Sequence, residues 1–218
     1  HLREVEDLAL GRRTNSRILR ELGWDENPES AHAYLLELGY WDASVDPYPV
    51  RLGLVTSPPE VPLPSLPEES RVDLTHLVAL AIDDEGTRDP DDALSLEGGR
   101  LWVHVADAAA LVQPDSSADL EARTRGASLY LPEGTVPMLP APLVATLGLG
   151  LATVSPALSF GLDLDSDAGI QRLEVVRSWV QVTRLTYEEA EAGLGQEPLQ
   201  SLHALAQRSQ ERRQQAGA

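Results

Sequence analysis

The sequence lacks cysteine and lysine altogether, and only 5% of its 218 residues are aromatic. The absence of cysteine excludes a disulfide-stabilised secreted module and a thiolate metal site. Because no apolar run approaches the roughly 18 residues that a membrane-spanning helix needs, we expect no membrane partner. The chain opens at His1 without a basic and then apolar leader, which predicts no export signal and a cytoplasmic protein.

Negative charge is abundant and unevenly placed. The chain has 35 acidic residues against 17 arginines, for a net charge of −18. A protein that binds nucleic acid without regard to sequence normally needs a basic excess instead. The segment 61–120 alone holds 13 acidic residues and 3 arginines. Such a local excess of carboxylates is typical of a site for hard divalent cations, which prefer oxygen ligands.

The first 56 residues predict a small helical domain. In the first helix, Ile18, Leu19 and Leu22 recur at helical spacing and Gly23 ends the segment. In the second, Asn27 is the capping residue, Pro28 takes the first helical position and Gly39 ends the helix. Short helices joined by tight turns are typical of a helix-turn-helix or winged-helix module.

Arginines and aromatic residues are both frequent in this region, which carries half of all the aromatic residues of the chain. They are Arg12, Arg13, Arg17, Arg20, Trp24, Tyr34, Tyr40, Trp41 and Tyr48. Two interpretations stay open: a nucleic-acid contact surface, or a miniature aromatic core surrounded by solvated arginines.

A proline-rich segment follows. Pro58, Pro59, Pro62, Pro64 and Pro67 indicate an extended linker, since proline cannot continue a helix or a central strand. We therefore predict three parts: a helix-turn-helix-like domain at 1–56, a linker at 57–72 and a strand-rich domain at 73–218.

Beyond the linker the pattern favours strands. The apolar run Leu77–Ile82 predicts a buried strand, and Gly98-Gly99 predicts a hairpin turn between strands at Ala93–Glu97 and Arg100–Ala106. Three further elements are predicted: a helix from Ser116 to Gly126, a hairpin at Asp165–Gly169 between Leu158–Leu164 and Ile170–Val182, and an amphipathic helix from about Pro198. The expected fold class is α+β.

Four aspartates, Asp83, Asp89, Asp91 and Asp92, lie between the buried strand and the first hairpin. Carboxylates gathered so closely repel one another, and some take up protons unless a cation lies among them. Two divalent cations about 4 Å apart would compensate that charge and clamp a phosphodiester for hydrolysis. A solvated acidic loop and a structural Ca²⁺ loop are the alternatives, although the calcium-hand spacing is not met.

Other catalytic signatures are missing from the sequence. It contains no phosphate-binding glycine loop and no GxSxG motif, and its five histidines are scattered. His104 alternates with Trp102 and Ala106 along a predicted strand, which favours a structural histidine over a metal ligand.

Several collinear motifs resemble those of the ribonuclease II and ribonuclease R exoribonucleases, the RNB-domain family. They are Ile82-Asp83 with Asp89-Pro90-Asp91-Asp92-Ala93, Val103-His104-Val105-Ala106-Asp107, Arg125-Gly126-Ala127-Ser128-Leu129-Tyr130-Leu131-Pro132, Val136-Pro137-Met138-Leu139-Pro140 and Arg184-Leu185-Thr186-Tyr187. The resemblance covers roughly residues 74–210. Any one motif alone is weak, but together they are highly specific.

The resemblance implies a processive hydrolase that removes nucleotides from the 3′ end of single-stranded RNA and releases nucleoside 5′-monophosphates with Mg²⁺, or with Mn²⁺ in its place. It implies that Asp83, Asp89, Asp91 and Asp92 are the catalytic carboxylates and metal ligands. It also implies that Tyr130 stacks against the terminal base, as an aromatic face does for any base. A core position at a strand end is the alternative for Tyr130.

The same resemblance implies partners outside this chain: the remainder of the catalytic domain, with a catalytic arginine, and a C-terminal RNA-binding domain beyond Ala218. We expect a monomer. Asp107 and Arg125 also match the family and are interpreted as structural residues. The sequence departs from the family at Pro90, which replaces a bulkier apolar residue, and at Ser155-Pro156, where the family tends to have arginine before the proline.

Two other functions stay open at this point. One is a non-catalytic RNA-binding or regulatory homologue, in which the helix-turn-helix module is joined to a degenerate nuclease domain. The other is a structural protein stabilised by a metal ion. The N-terminal helical region does not resemble the cold-shock barrels of better-known family members, so their RNA contacts are not carried over.

Overall fold

The computed structural model describes residues 2–62, 65–132 and 134–217 and contains both helices and strands. A helical N-terminal part is followed by a strand-rich part, which confirms the predicted α+β class. Within the described residues, no helix is long and apolar enough to cross a bilayer.

The chain divides into two compact units that are not continuous in sequence. The first comprises His1–Val61 with Asp119–Pro140, and the second comprises Pro62–Ala118 with Ala141–Ala218. The domain boundaries that the composition indicates stay a prediction. In the predicted linker at 57–72, the described residues form neither helix nor strand except Val72, which begins a short strand, and Pro64 lies outside the described residues.

The elements are numbered in chain order. The α-helices are α1 (Leu2–Ala9), α2 (Arg17–Glu21), α3 (Pro28–Glu37), α4 (Tyr48–Arg51), α5 (Ser117–Arg125), α6 (Ala141–Leu147), α7 (Tyr187–Ala192) and α8 (Leu199–Gln215), and a short 3-10 helix covers Ala108–Ala110. The strands are β1 (Val72–Asp73), β2 (Ala79–Asp83), β3 (Asp92–Glu97), β4 (Arg100–Ala106), β5 (Leu129–Leu131), β6 (Gly134–Val136), β7 (Ser155–Leu164), β8 (Ile170–Val180) and β9 (Val182–Thr186).

The helices of the first unit begin where the sequence predicts. Asn27 caps α3, because its side-chain oxygen accepts a hydrogen bond from the Ser30 amide at 2.7 Å. The chain leaves α3 through Gly39, whose positive φ of 64° favours glycine. Local capping chemistry therefore accounts for both ends of this helix.

The core of the first unit contains aromatic residues, as one of the two interpretations predicts. Trp41 is buried with the apolar side chains of α1, α2 and α3, and Trp24 packs edge-on against Tyr34 with ring centroids 5.6 Å apart. Tyr40 and Tyr48 lie exposed outside this core. Three of the arginines are ion-paired: Arg12 with Asp7, Arg17 with Glu21 and Arg20 with Glu26. The aromatic core is therefore confirmed for Trp24, Tyr34 and Trp41 only.

The second unit is built around a seven-stranded mixed sheet with the order β1-β8-β7-β4-β3-β2-β9. The hairpin of β3 and β4 turns at Gly98 and Gly99, both with positive φ, as predicted. On its other side β2 pairs in parallel with β9, which sets Asp83 opposite Thr186. Apolar residues including Trp102 and Leu149 form the core of this unit.

Two predicted strands differ from the observed ones. β2 begins at Ala79 instead of Leu77, because Leu77 is held in a turn by a bond from its amide to the Leu74 carbonyl. The strand predicted at 170–182 is two strands, since β8 ends at Val180 and β9 pairs at the opposite edge of the sheet.

His104 is a structural residue, as predicted. Its side chain is fully buried and hydrogen-bonded on both ring nitrogens, to Ser95 Oγ at 2.8 Å and to Ser159 Oγ at 2.7 Å. Burial lowers the pKa of His104 from 6.5 to about 4. The imidazole is therefore a neutral link between three neighbouring strands near pH 7.

Asp107 and Arg125 also hold structure together. Asp107 Oδ2 accepts a hydrogen bond at 2.7 Å from Nη2 of Arg71, whose side chain is fully buried. Arg125 pairs with Glu121 one helical turn earlier and donates to the Ser57 carbonyl oxygen at 2.8 Å. These contacts support the structural interpretation of both residues.

Candidate active site

The predicted catalytic aspartates lie around the connection from β2 to β3. Asp83 is the last residue of β2 and Asp92 is the first residue of β3. These strands are antiparallel neighbours, so the strand end that carries Asp83 adjoins the strand start that carries Asp92. The antiparallel pairing of the two strands thereby brings carboxylates that are nine residues apart to the same end of the strand pair.

The segment 84–91, called the acidic loop below, is anchored by its main chain. The Pro90 carbonyl oxygen accepts a hydrogen bond from the Leu149 amide at 2.9 Å, and the Asp91 carbonyl oxygen accepts one from the Ala106 amide at 2.8 Å. Pro90 itself is buried. These contacts fix the main chain of the loop near Pro90 and Asp91. The Asp89 residue is half-buried and Asp91 is exposed.

The four aspartates interact electrostatically. Burial raises the pKa of Asp83, and the charges of Asp92, Asp91 and Asp89 raise it further. Arg184 acts in the opposite direction and lowers that pKa. The charges of the other three aspartates therefore act on Asp83, whereas their shared role as catalytic and metal-binding residues stays a prediction.

The described residues nevertheless contain no group of three or more histidine, cysteine, aspartate or glutamate side chains arranged to hold a metal ion. The charges of the aspartates act on Asp83, but the described side chains are not arranged to hold a metal ion. Their chemistry still fits a hard divalent cation, because every donor in the set is a carboxylate oxygen.

Tyr130 lies on β5 in the first unit, opposite Thr135 of β6. Tyr130 is 74% exposed, so it is not a core residue in the described part of the chain. The ring is available to a ligand, as the stacking role requires.

Arg184 is a feature of the site to which the sequence patterns assign no role. Its Nη2 donates to the Thr87 carbonyl oxygen in the acidic loop at 2.6 Å. The two residues are 97 positions apart, so only the parallel pairing of β9 with β2 reveals the contact. The one available signal is the position of Arg184 inside a family-like motif.

Comparison with known proteins assigns the chain to the ribonucleases. The model of the RNB domain matches residues 71–218, and the model of a double HTH domain matches residues 1–47. The chain belongs to the RNB-domain ribonuclease family, which confirms the resemblance that its motifs carry. The N-terminal helix-turn-helix prediction is confirmed by the second match.

The curated relatives are much longer than this chain. An uncharacterized ribonuclease of Synechocystis is 38% identical over 192 residues, covering 80% of this chain and 29% of that protein. The chloroplastic and mitochondrial ribonuclease II of Arabidopsis thaliana is 37% identical over 190 residues, covering 79% and 24%. The chain thus spans less than a third of these relatives.

Solved structures share the fold. RNase R of Mycoplasma genitalium in complex with ribose-methylated single-stranded RNA has a TM-score of 0.59 at 26% identity, covering 66% of this chain and 25% of that one. The Candida glabrata Dss1 exoribonuclease has a TM-score of 0.68 at 20% identity, covering 89% and 31%. Yeast Ssd1, a pseudonuclease, has a TM-score of 0.57 at 25% identity, covering 70% and 20%.

Proposed function

We propose that the whole protein is a processive 3′-to-5′ exoribonuclease that hydrolyses single-stranded RNA to nucleoside 5′-monophosphates. The observation that carries this proposal is the interacting set of Asp83, Asp89, Asp91 and Asp92 inside the matched RNB domain. Support for RNA as the substrate comes from RNase R of Mycoplasma genitalium, a structural relative solved with single-stranded RNA.

In the proposed reaction water attacks the phosphorus of the last phosphodiester. The bond from phosphorus to the 3′ oxygen of the preceding nucleotide breaks, and that oxygen takes up a proton to become the new 3′ hydroxyl. The final nucleotide leaves as a nucleoside 5′-monophosphate. The carboxylates accept hydrogen bonds from the attacking water and orient it, while the main-chain bonds of Pro90 and Asp91 hold the loop in place.

We further propose that Asp83, Asp89, Asp91 and Asp92 hold Mg²⁺, or Mn²⁺ in its place. The all-oxygen donor set and the mutual repulsion seen at Asp83 both favour a divalent cation. Two such ions, when bound, supply positive charge at the attacking water and at the leaving oxygen.

Tyr130 is the proposed contact to the terminal base. Tyr130 is an exposed residue on a short strand, and its aromatic ring offers a flat face to any nucleobase, with which stacking does not depend on sequence. Such stacking fits an enzyme that degrades RNA without sequence specificity. Cytoplasmic location and a monomeric state stay predictions from the sequence.

A second candidate function is a non-catalytic RNA-binding homologue. Two observations favour it: the described aspartates form no ready ligand cage, and the fold resembles the pseudonuclease Ssd1. The presence of all four aspartates favours the enzyme instead.

Incubation of the whole protein with Mg²⁺ and a 5′-labelled single-stranded RNA separates these functions. The exoribonuclease shortens the labelled strand from its 3′ end, one nucleotide at a time. A pseudonuclease binds the RNA and leaves its length unchanged. A purely structural metal protein shows no RNA affinity and a Ca²⁺-dependent rise in melting temperature.

A further inference from the structure

Arg184 occupies a defined place next to the acidic loop. On β9 it pairs with Ala81 of β2, and Thr186 pairs with Asp83. Paired residues on neighbouring strands share a face of the sheet, and residues two apart on one strand do so too. Arg184 and Asp83 therefore lie on the same face, diagonally across the β2 and β9 pair.

The side chain of Arg184 is held at both of its ends. Its stem runs past Gly150, where an added Cβ would lie 3.0 Å from Arg184 Cγ, so the glycine makes room for it. Its Nη2 donates at 2.6 Å to the Thr87 carbonyl oxygen, in the middle of the acidic loop. A charged donor makes this a strong hydrogen bond, and the bond ties the loop to the far side of β2.

The guanidinium belongs to an arginine that lies on the same face of the sheet as Asp83, since Arg184 pairs with Ala81 two residues before it. The Nε of Arg184 is buried and has no hydrogen-bond partner in the described part of the chain. The buried Nε atoms of Arg71 and Arg100 also lack a hydrogen-bond partner there, so this feature does not distinguish Arg184 from them.

A second arginine of the same sheet shows the contrast. Arg100 also has a half-buried side chain, but it pairs with Glu174 at 2.7 Å and lies over the ring of Trp102. Those contacts hold strand to strand on a structural surface. Arg184 instead directs its Nη2 at the main chain of the loop that carries the aspartates.

We propose that Arg184 is a positioning residue of the active site, which holds the acidic loop through the Thr87 carbonyl oxygen and keeps a fixed positive charge beside Asp83. The inference rests on the proposed function, because the loop carries Asp89 and Asp91. It adds a role for a residue outside the aspartate set.

The test compares Arg184→Met, Arg184→Lys and the control Arg100→Met in the whole protein. Arg184→Met removes both charge and donor, so kcat falls about a hundredfold, the size of effect that slight misplacement of catalytic groups produces. The KM for RNA stays unchanged, because the residue does not contact substrate. Arg184→Lys keeps the charge and recovers part of kcat, and Arg100→Met keeps the wild-type kcat.

Hydrogen exchange supplies a readout that does not depend on activity. The amides of the acidic loop exchange faster in Arg184→Met than in the wild type or in Arg100→Met, while amides of β7 and β8 keep their protection. If Arg184→Met fails to fold, Arg184→Lys takes its place, and the expected loss of kcat and the expected increase in loop exchange are smaller.

The proposal is overturned if Arg184→Met keeps the wild-type kcat, or if loop exchange is unchanged in that variant. The proposal is also overturned if Arg184→Met and Arg100→Met lower kcat equally, because both arginines would then act only through the stability of the fold. A wild-type protein that does not degrade RNA contradicts the proposed function instead, and loop exchange then decides the role of Arg184 alone.

Discussion

Asp83 ends one strand and Asp92 begins its antiparallel neighbour, and burial together with the charge of Asp92 raises the pKa of Asp83. The effect requires that the two carboxylates lie near each other in the folded chain. Asp83 therefore responds to the charges of its neighbours, and loss of one neighbouring negative charge would lower its pKa.

Asp91→Asn is expected to abolish release of nucleoside monophosphates by the whole protein. Asp91 is exposed, so the isosteric amide removes a charge and no core contact, and folding and RNA binding persist. Product release is measured by chromatography and RNA binding by filter retention. Asp84→Asn is the matched control, since Asp84 is an exposed acid in the same loop that lies outside the set of four aspartates. Full activity in Asp91→Asn would overturn the assignment.

Tyr130→Ala is expected to lengthen the final undegraded product without stopping hydrolysis. Loss of one stacking contact weakens the hold on a short RNA by about 1–3 kcal/mol, and long substrates have other contacts to compensate. The limit product is sized on a sequencing gel. Tyr130→Phe, which keeps the ring, and Tyr40→Ala, at another exposed tyrosine of the same unit, leave that length unchanged. An unaltered limit product in Tyr130→Ala would count against stacking.

Removal of divalent cations is expected to stop hydrolysis. EDTA withdraws the cation that the four carboxylates need, and an excess of Mg²⁺ or Mn²⁺ restores activity because the ligands themselves are unchanged. The measurement is the rate of strand shortening before and after each addition. Hydrolysis that persists in EDTA would show that the aspartates act without a metal.

The stability of the protein is expected to fall as the pH is lowered from 6.5 towards 4. The folded state holds His104 neutral with a pKa of about 4, whereas the unfolded chain protonates it near 6.5. The unfolded state therefore binds more protons in this window, which costs up to about 1.4 kcal/mol per pH unit and about 3 kcal/mol in total. Urea denaturation at a series of pH values measures this loss.

His104→Gln is the variant that isolates this effect. The amide spans part of the gap between Ser95 and Ser159 but does not titrate, so the component of the pH dependence due to His104 disappears. His203→Gln, at an exposed histidine of α8, is the control and keeps the pH dependence of the wild type. Equal pH dependence in wild type and His104→Gln would contradict the assignment of a neutral buried imidazole.

The parts of the fold that the sequence predicts are those decided by a few adjacent residues. Asn27 with Pro28 marks the start of α3 because capping and proline geometry act within one turn. Gly98-Gly99 marks the β3 and β4 hairpin because few residues other than glycine adopt both positive φ values. The aspartate set was found in the same way, as a cluster within ten residues.

The parts that the sequence does not predict depend on contacts between distant segments. The hairpin of β5 and β6 has strands of only three residues, too short for an alternating pattern. β9 follows β8 in the sequence but pairs with β2 at the opposite side of the sheet, so this pairing joins segments that are distant in the chain. The bond from Arg184 to Thr87 follows from that pairing, so no local pattern shows it.

The most direct test of the exoribonuclease assignment is the first product from a single-stranded RNA labelled at its 3′ end. With Mg²⁺, the whole protein is expected to release the label at once as a nucleoside 5′-monophosphate, before any labelled intermediate appears. Labelled oligonucleotides as the first product, or RNA that is bound but keeps its label and length, would contradict it.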